Sequence, residues 1–143
     1  MIAAAFRSRA LRATPQRYAV FGYLLEHPVH ATAEEIFRAV NREDPRSSRA
    51  TVYNTLHALV AAGLVRQVSV EGRSARFDAN LHRHHHFLCE GCGSVEDVEW
   101  FALPAPPPPQ ALQGRAVRSY DLVIRGLCAG CSRKEGEHAG REA

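Results

Sequence analysis

The chain has 143 residues, of which 45% are hydrophobic and 23% are charged. This composition is ordinary for a globular protein, so one medium domain or two small ones can form around real cores. No run approaches the roughly 20 apolar residues that a membrane span needs, and Met1–Arg12 lacks the apolar core of a secretion signal. We therefore expect a cytoplasmic protein with no membrane partner.

The formal net charge of +3 is unevenly distributed along the chain. Residues 1–80 contain eleven arginines and seven acidic residues, a balance of +4, whereas residues 81–143 have a balance of −1. The N-terminal half is therefore the half that we expect to meet an anion such as nucleic acid.

Four helices are predicted in the N-terminal half, the first of them over residues 3–13. The later ones begin at residues whose side-chain oxygens can accept hydrogen bonds from the free N–H groups of a first helical turn. The start signals are Thr14-Pro15, Thr32 with Glu35, and Ser48, and the stop signals are His27-Pro28 and Gly63.

After Gly63 the hydrophobic period changes from about 3.6 to 2. Strands are predicted at Val65–Val70 and Arg73–Phe77, joined by a turn at Glu71-Gly72. Helices followed by a hairpin are the order of a winged helix-turn-helix, whose last helix enters the major groove of DNA. The candidate DNA contacts on that helix and the wing are Arg49, Thr51, Tyr53, Asn54, His57, Arg73 and Arg76. A solvated helix on a small helical domain is the alternative interpretation.

The composition of the chain shifts beyond Asp78, and residues 79–83 are predicted to be a linker. The strands expected after it are 84–89, 94–100 and 119–125, and residues 110–116 form a short helix at most. The proline-rich run at 104–109 is predicted to be a stiff extended connection, with a docking peptide as the alternative. The charged tail from Ser132 is expected to be disordered.

All four cysteines occur in two C-x-x-C pairs, Cys89 with Cys92 and Cys128 with Cys131. Each pair follows a predicted strand, and four thiolates suit a closed tetrahedral zinc site. We therefore predict a structural zinc that joins the third strand of this half to the first two. A redox dithiol, or a disulfide switch that releases zinc, is the alternative.

A second set of candidate ligands contains no sulfur. His84 and His86 alternate along a predicted strand, so both side chains project to one face while His85 points away. The further candidates near that face are His30, Asp78 and Asp97. Imidazoles and carboxylates together suit Fe(II), Mn(II) or Zn(II). A metal-dependent hydrolase is a rival interpretation, but no general base beyond the ligands is evident, so we predict no enzymatic activity. A zinc-ribbon interaction module would leave the capped helices and the hairpin unexplained.

Five motifs occur in an order that resembles the ferric uptake regulator superfamily. They are Thr14-Pro15-Gln16-Arg17, His30-x-Thr32-Ala33-Glu34-Glu35-Ile36, Ala50-Thr51-Val52-Tyr53-Asn54, Arg76-Phe77-Asp78 and His84-x-His86-x-x-Cys89-x-x-Cys92-Gly93. The resemblance implies a metal-dependent, homodimeric repressor of α+β fold that binds double-stranded operator DNA, with Arg17 among its DNA contacts. The domains expected are a winged helix at 1–78, a hinge at 79–83, an αβ dimerisation and metal-binding domain at 84–135 and a disordered tail at 136–143.

The resemblance also implies a regulatory site for Fe(II) or Mn(II). In the peroxide-sensing branch of this family, the metal is held by residues that match His30, Asp78, His84, His86 and Asp97. The iron-uptake branch usually has a glutamate at the last position, so Asp97 favours the peroxide sensor. Iron-catalysed oxidation of His30 or His84 would then release the repressor from DNA.

Three further points follow from the resemblance. An iron-uptake regulator that uses Fe(II) as corepressor without an oxidation step is the alternative function. Tyr120 stands where relatives carry a histidine of an additional metal site, so we do not predict that site. The run at 104–109 replaces a helix of the dimerisation domain, which affects the expected geometry of the dimer.

Overall fold

The structure is a computed structural model that describes residues 1–28, 30–43, 45–69, 72–102, 110–118, 120 and 122–139. The chain divides into two compact units, Met1–Leu81 and His82–Ala143. Both units combine helix and sheet, which confirms the predicted α+β class. Among the helices of the described ranges, none has the length and apolar character needed to cross a membrane.

The N-terminal unit has four helices, and the starts of the last three agree with the predicted capping signals. They are α1 (Ile2–Ser8), α2 (Pro15–Glu26), α3 (Ala33–Glu43) and α4 (Arg49–Ala61). Thr14 and Ser48 each accept a hydrogen bond from the backbone N–H three residues later, at 3.2 and 3.1 Å. Thr32 and Glu35 cap each other, since the Thr32 N–H donates to Glu35 at 2.7 Å and the Glu35 N–H donates to the Thr32 hydroxyl at 3.2 Å. Such a cap contributes about 1 kcal/mol to helix stability.

The first helix is shorter than predicted, because it ends at Ser8 and Ala10 adopts a left-handed backbone with φ of 52°. The short helix is nevertheless well anchored. Phe6 is 1% exposed and its ring lies 5.2 Å from that of Tyr18 and 5.7 Å from that of Phe21. This contact joins α1 to the core that α2, α3 and α4 form around Ile36 and Leu56.

A three-stranded antiparallel sheet completes this unit, in the order β1-β3-β2. Its strands are β1 (Ala31–Thr32), β2 (Arg66–Val68) and β3 (Arg76–Asp78). The predicted hairpin is present with shorter strands. Of its expected turn at Glu71-Gly72, Glu71 lies outside the described residues, and Gly72 adopts a left-handed backbone with φ of 72°. The sequence did not predict β1, because two residues carry no periodicity and the strand forms only by pairing Ala31 with Phe77.

The C-terminal unit is built on a second three-stranded sheet, in the order β5-β4-β6. The central strand is β4 (His84–Cys89), which pairs antiparallel with β5 (Val95–Glu99) and parallel with β6 (Val123–Gly126). The third strand begins later than the predicted 119–125, and the proline-rich run at 104–109 lies outside the described residues. Residues 110–116 were expected to form a short helix at most, and a single 3-10 turn is present at Gln110–Leu112.

The expectation of a disordered tail from Ser132 is wrong over the described residues. Helix α5 spans Ala129–Ala139, which includes the first residues of the tail predicted at 136–143. The helix starts inside the second C-x-x-C pair, where the Ser132 N–H donates to the Cys128 carbonyl at 2.9 Å. Its sequence is polar, and the signal that could have located it is this cysteine pair rather than an apolar stripe.

Candidate functional site

The four cysteines come together in the C-terminal unit, as the sequence predicted. Cys89 is the last residue of β4, Cys92 follows in the turn, Cys128 follows β6 and Cys131 lies in the first turn of α5. Their sulfur atoms all lie within 4.8 Å of one another, and those of Cys92 and Cys128 are 3.9 Å apart. A tetrahedron of Zn–S bonds of about 2.3 Å has edges of about 3.8 Å. The cluster therefore fits a closed zinc site.

Local backbone geometry shapes this cluster around Cys89. The N–H groups of Cys92 and Cys128 donate to its sulfur at 3.4 and 3.3 Å. These bonds, with that from Cys128 the stronger, lower the pKa of the Cys89 thiol to about 6. The thiol of Cys128 and its neighbours raise the pKa of Cys131 to about 12. Four thiolates so close together require a cation, because their charges repel one another.

The turn between the first two cysteines depends on a glycine. A Cβ atom at Gly91 would lie 3.0 Å from the Cys131 sulfur and 3.2 Å from a methyl of Leu127. Both neighbours belong to the second half of the cluster, so the absence of a side chain at Gly91 lets the two cysteine pairs approach. No pattern of spacing identified this residue beforehand.

The same unit carries three nitrogen and oxygen donors on one side of its sheet. His84 and His86 alternate along β4, and their Nε2 atoms are 3.0 Å apart. Asp97 is the cross-strand partner of His86 on β5, and its Oδ1 lies 3.3 Å from the His84 Nε2. Two imidazole nitrogens bound to one ion at about 2.1 Å and at right angles are about 3.0 Å apart. The three donors therefore fit the coordination of a divalent metal.

A further contact orients one of these ligands. The Nδ1 atom of His84 lies 2.7 Å from the backbone carbonyl of His82. Since a carbonyl can only accept, Nδ1 carries the proton and Nε2 presents its lone pair. This is the arrangement in which histidine binds metal ions, with the other ring nitrogen fixed by an outer partner.

His30 and Asp78 form a buried pair in the N-terminal unit. Both residues are 5% exposed, and the His30 Nδ1 lies 3.9 Å from the Asp78 Oδ2. The Asp78 Oδ1 accepts from the Asn80 N–H at 2.7 Å, and the His30 carbonyl accepts from Arg76 at 2.6 Å. The pair offers one imidazole and one carboxylate, which is half of a typical metal site rather than a complete one.

The remaining histidines of the central segment have other surroundings. His85 is fully buried on the opposite face of β4, where its ring lies 4.5 Å from those of Trp100 and Phe101. Its Nε2 donates to the Phe101 carbonyl at 2.8 Å. His82 is exposed and contributes its carbonyl to His84. These placements agree with the interpretation that His84 and His86, not His85, face the candidate metal.

The outward face of α4 and the wing carry most of the predicted DNA contacts, and Arg17 lies in α2. Tyr53, Asn54 and His57 are exposed on one side of α4, and Arg73 is exposed at the wing. Thr51 is half-buried near the start of α4, where its hydroxyl lies 2.9 Å from that of Ser48. Arg17 is half-buried and donates to the Arg12 carbonyl at 2.5 Å.

Arg49 has partners that the sequence did not predict. Its Nε and Nη2 donate to the two carboxylate oxygens of Glu34, both at 3.0 Å. Its guanidinium carbon lies 4.4 Å from the centre of the Phe37 ring. The hydrogen bond from Arg49 lowers the pKa of Glu34 below its ordinary value. These contacts join α3 to α4, fifteen residues apart, so no local spacing rule reveals them.

Comparisons with known proteins identify relatives over most of the chain. The sequence profile of the ferric uptake regulator family matches residues 8–111. The chain is similar to the peroxide-responsive repressor of Staphylococcus aureus, with 35% identity over 132 residues that cover 92% of this chain and 89% of that protein. Its structure resembles the Vibrio cholerae ferric uptake regulator, with a TM-score of 0.70, 25% identity and coverage of 90% and 100%. The Campylobacter jejuni peroxide stress regulator shares the fold, with a TM-score of 0.63, 23% identity and coverage of 92% and 96%.

Proposed function

Since the chain belongs to the ferric uptake regulator family, we propose that it is a metal-dependent transcriptional repressor that binds operator DNA as a homodimer. The charge distribution supports this, because residues 1–80 have a balance of +4. The exposed face of α4 supports it as well, since Tyr53 and Asn54 offer hydrogen bonds and apolar contact to base edges. In this proposal α4 enters the major groove and Arg73 of the wing meets the phosphate backbone.

We assign two metals to the chain in this proposal. The four cysteines hold a structural zinc, which stabilises the C-terminal unit by joining the ends of β4 and β6. The regulatory ion, Fe(II) or Mn(II), is bound by the five nitrogen and oxygen donors named above. The observation that carries this assignment is the 3.0 Å separation of the His84 and His86 Nε2 atoms beside Asp97.

Sharing of one regulatory ion by the two units would couple metal binding to DNA binding. His30 and Asp78 belong to the unit that carries α4, and the other three ligands belong to the unit that carries the zinc cluster. An ion bound by both sets of ligands favours one relative orientation of the units over all others. Operator affinity then depends on occupancy, and the coupling is reciprocal.

The finer proposal is that the repressor senses peroxide. The five nitrogen and oxygen ligands would hold ferrous iron, which would supply the electron that activates peroxide. The protein's part would be to present imidazole rings, and no thiol, as the ligands nearest the oxidant. Addition of one oxygen atom to a ligand histidine, His30 or His84, would weaken metal binding and release the repressor from DNA.

Operator release by peroxide tests this proposal in two metal-loaded forms. The Fe(II) form is expected to lose DNA binding on peroxide addition and to gain the mass of one oxygen atom on a ligand histidine. The Mn(II) form is expected to remain bound, because Mn(II) does not reduce peroxide in this way. Equal insensitivity of both forms would contradict peroxide sensing and favour the iron-uptake regulator, which responds to Fe(II) occupancy without an oxidation step.

Asp97→Glu separates the same two functions within one chain. The resemblance associates aspartate at this position with peroxide sensing and glutamate with iron uptake. We expect the variant to keep metal-dependent DNA binding and to lose much of its peroxide sensitivity. Unchanged sensitivity would show that the residue at position 97 does not distinguish the two functions.

A further inference from the structure

The first residue of α4 is an arginine held in place by two side chains of α3. Glu34 accepts two parallel hydrogen bonds from the Arg49 Nε and Nη2, and the Phe37 ring lies under the guanidinium at 4.4 Å. Glu34 also accepts from the Arg38 Nε at 3.2 Å. Arg49 is thereby restrained on one edge and on one face while its side chain remains 63% exposed.

Stability alone does not account for this arrangement. An exposed ion pair contributes between 0 and about 1 kcal/mol, at the upper end when an arginine donates two hydrogen bonds to one carboxylate, and a cation–π contact at an exposed site adds about 0.5–1 kcal/mol. A cation at the first position of a helix is unfavourable, because the N-terminus of the helix already carries partial positive charge. The first turn of α4 contains no acidic residue to offset it. The chain therefore places a positive charge at an unfavourable position and then restrains it, which is a typical feature of a binding residue.

The restrained guanidinium still has donors to offer. Arginine has five N–H donors. Among the described residues, the guanidinium of Arg49 donates two hydrogen bonds, both to Glu34. The donors left over include the terminal edge, where two parallel N–H groups match a pair of adjacent acceptors. In DNA such a pair is either O6 and N7 of guanine or two phosphate oxygens.

We propose that Arg49 is a pre-oriented guanidinium fork that binds a pair of adjacent acceptor atoms on double-stranded DNA, and that Glu34 is its positioning residue. This inference rests on the proposed function and adds to it a specific recognition residue on α4. Tyr53 lies one helical turn further along the same exposed side, so both can face one groove. Because Glu34 and Phe37 already restrict the rotamers of Arg49, binding would lose less side-chain entropy.

The test uses the full-length, Mn(II)-loaded chain and a randomised duplex library, from which bound sequences are selected and measured individually. Four variants are compared with the original chain: Arg49→Ala, Arg49→Lys, Glu34→Gln, and the double variant Glu34→Gln with Arg49→Ala. Arg38→Ala is the matched control, because it removes the other cation bound to Glu34 without changing α4. Thermal unfolding is expected to be nearly the same for all of them, since the side chains of Arg38 and Arg49 are largely exposed and that of Glu34 is 35% exposed.

Arg49→Ala is expected to weaken binding of the selected duplex about tenfold to a hundredfold. Arg49→Lys is expected to lose a similar factor although it keeps the charge, because an ammonium has no fork. If the acceptors are guanine atoms, a guanine preference at one position of each half-site disappears. If they are phosphate oxygens, binding weakens for all sequences and the salt dependence falls by about one counterion.

The role of Glu34 is read from the coupling between the two residues. Removal of its charge near DNA tightens binding to every duplex, so the effect of Glu34→Gln is compared in the presence and in the absence of Arg49. If Glu34 positions Arg49, Glu34→Gln is expected to raise DNA affinity less in the presence of Arg49 than in the Arg49→Ala background. A substitution that helps more in the presence of Arg49 would mean that Glu34 competes with DNA, and an equal effect in both backgrounds would mean no positioning. Either result overturns the inference.

Three other outcomes are also decisive. Wild-type affinity in Arg49→Lys or in Arg49→Ala would overturn the fork while leaving the proposed function intact. Failure of the original chain to select any duplex in the presence of metal would overturn the proposed function itself, and this inference with it. A change of base preference in Arg38→Ala that equals the change in Arg49→Ala would also contradict the assignment.

Discussion

The Nε2 atoms of His84 and His86 lie 3.0 Å apart on one face of β4, with an Asp97 oxygen 3.3 Å from the first of them. The Nδ1 proton of His84 is committed to the His82 carbonyl, so its Nε2 meets its neighbour with a lone pair. A shared proton or a metal ion can occupy such a position. The carboxylate of Asp97 favours positive charge between the two imidazoles, and two imidazoles with one carboxylate suit a divalent ion.

His86→Ala should therefore weaken metal binding without unfolding the protein. Removal of a ligand is expected to lower the affinity for the regulatory ion by at least about tenfold, in line with the cost of disturbing a metal site. Metal-dependent DNA binding would weaken in parallel. His82→Ala is the matched control, because its exposed side chain is removed while the carbonyl that fixes His84 remains. Equal metal response in the original chain and in His86→Ala would refute the ligand assignment.

Cys89→Ser tests the structural zinc. Cys89 is the most buried of the four cysteines and accepts N–H bonds from both C-x-x-C pairs. Its loss is expected to release zinc and to unfold or monomerise the C-terminal unit, because the ion joins β4 to β6. Zinc content and molecular mass in solution are the measurements. A folded dimer that still contains one zinc per chain would show that the cluster does not need this ligand.

Gly91→Ala should disturb the same cluster through its shape alone. The added Cβ would lie 3.0 Å from the Cys131 sulfur, so a backbone or sulfur atom has to move, at a cost of about 1–3 kcal/mol. The expected result is faster loss of zinc to a chelator and a lower unfolding temperature. Gly130→Ala in α5 is the control, because its Cβ would have its nearest neighbour, the Cys128 sulfur, at 4.0 Å. Similar chelation rates in both variants would count against the steric explanation.

Phe6→Ala tests whether α1 is an integral part of the N-terminal unit. The ring is 1% exposed and packs against Tyr18 and Phe21, so its loss is expected to destabilise this unit by about 3 kcal/mol. Tyr18→Phe is the control, since it keeps the ring contact and removes only a hydroxyl from a residue that is 38% exposed. Denaturant unfolding of both variants gives the comparison. A loss below about 1 kcal/mol for Phe6→Ala would indicate that α1 detaches without affecting the core.

Features that depend on near neighbours in the chain were determined by the sequence alone. The caps at Thr14, Thr32 and Ser48 join atoms three residues apart. The common face of His84 and His86 follows from the two-residue period of a strand, and the C-x-x-C spacing predicts a metal knuckle. These rules hold whatever the rest of the molecule does, because they need only the local backbone.

Features that depend on contacts between distant segments were decided by the tertiary structure. The strand β1 exists only because β3 pairs with it, and α5 starts where the second cysteine pair meets the first. The hydrogen bonds between Arg49 and Glu34 form because α3 and α4 pack against each other there. A glycine is needed at position 91 only because Cys131 lies so close to it. Local propensity is weak compared with the burial and pairing that such contacts provide. A single sequence shows which residues are suited to these contacts, and the packing of the chain determines which of them meet.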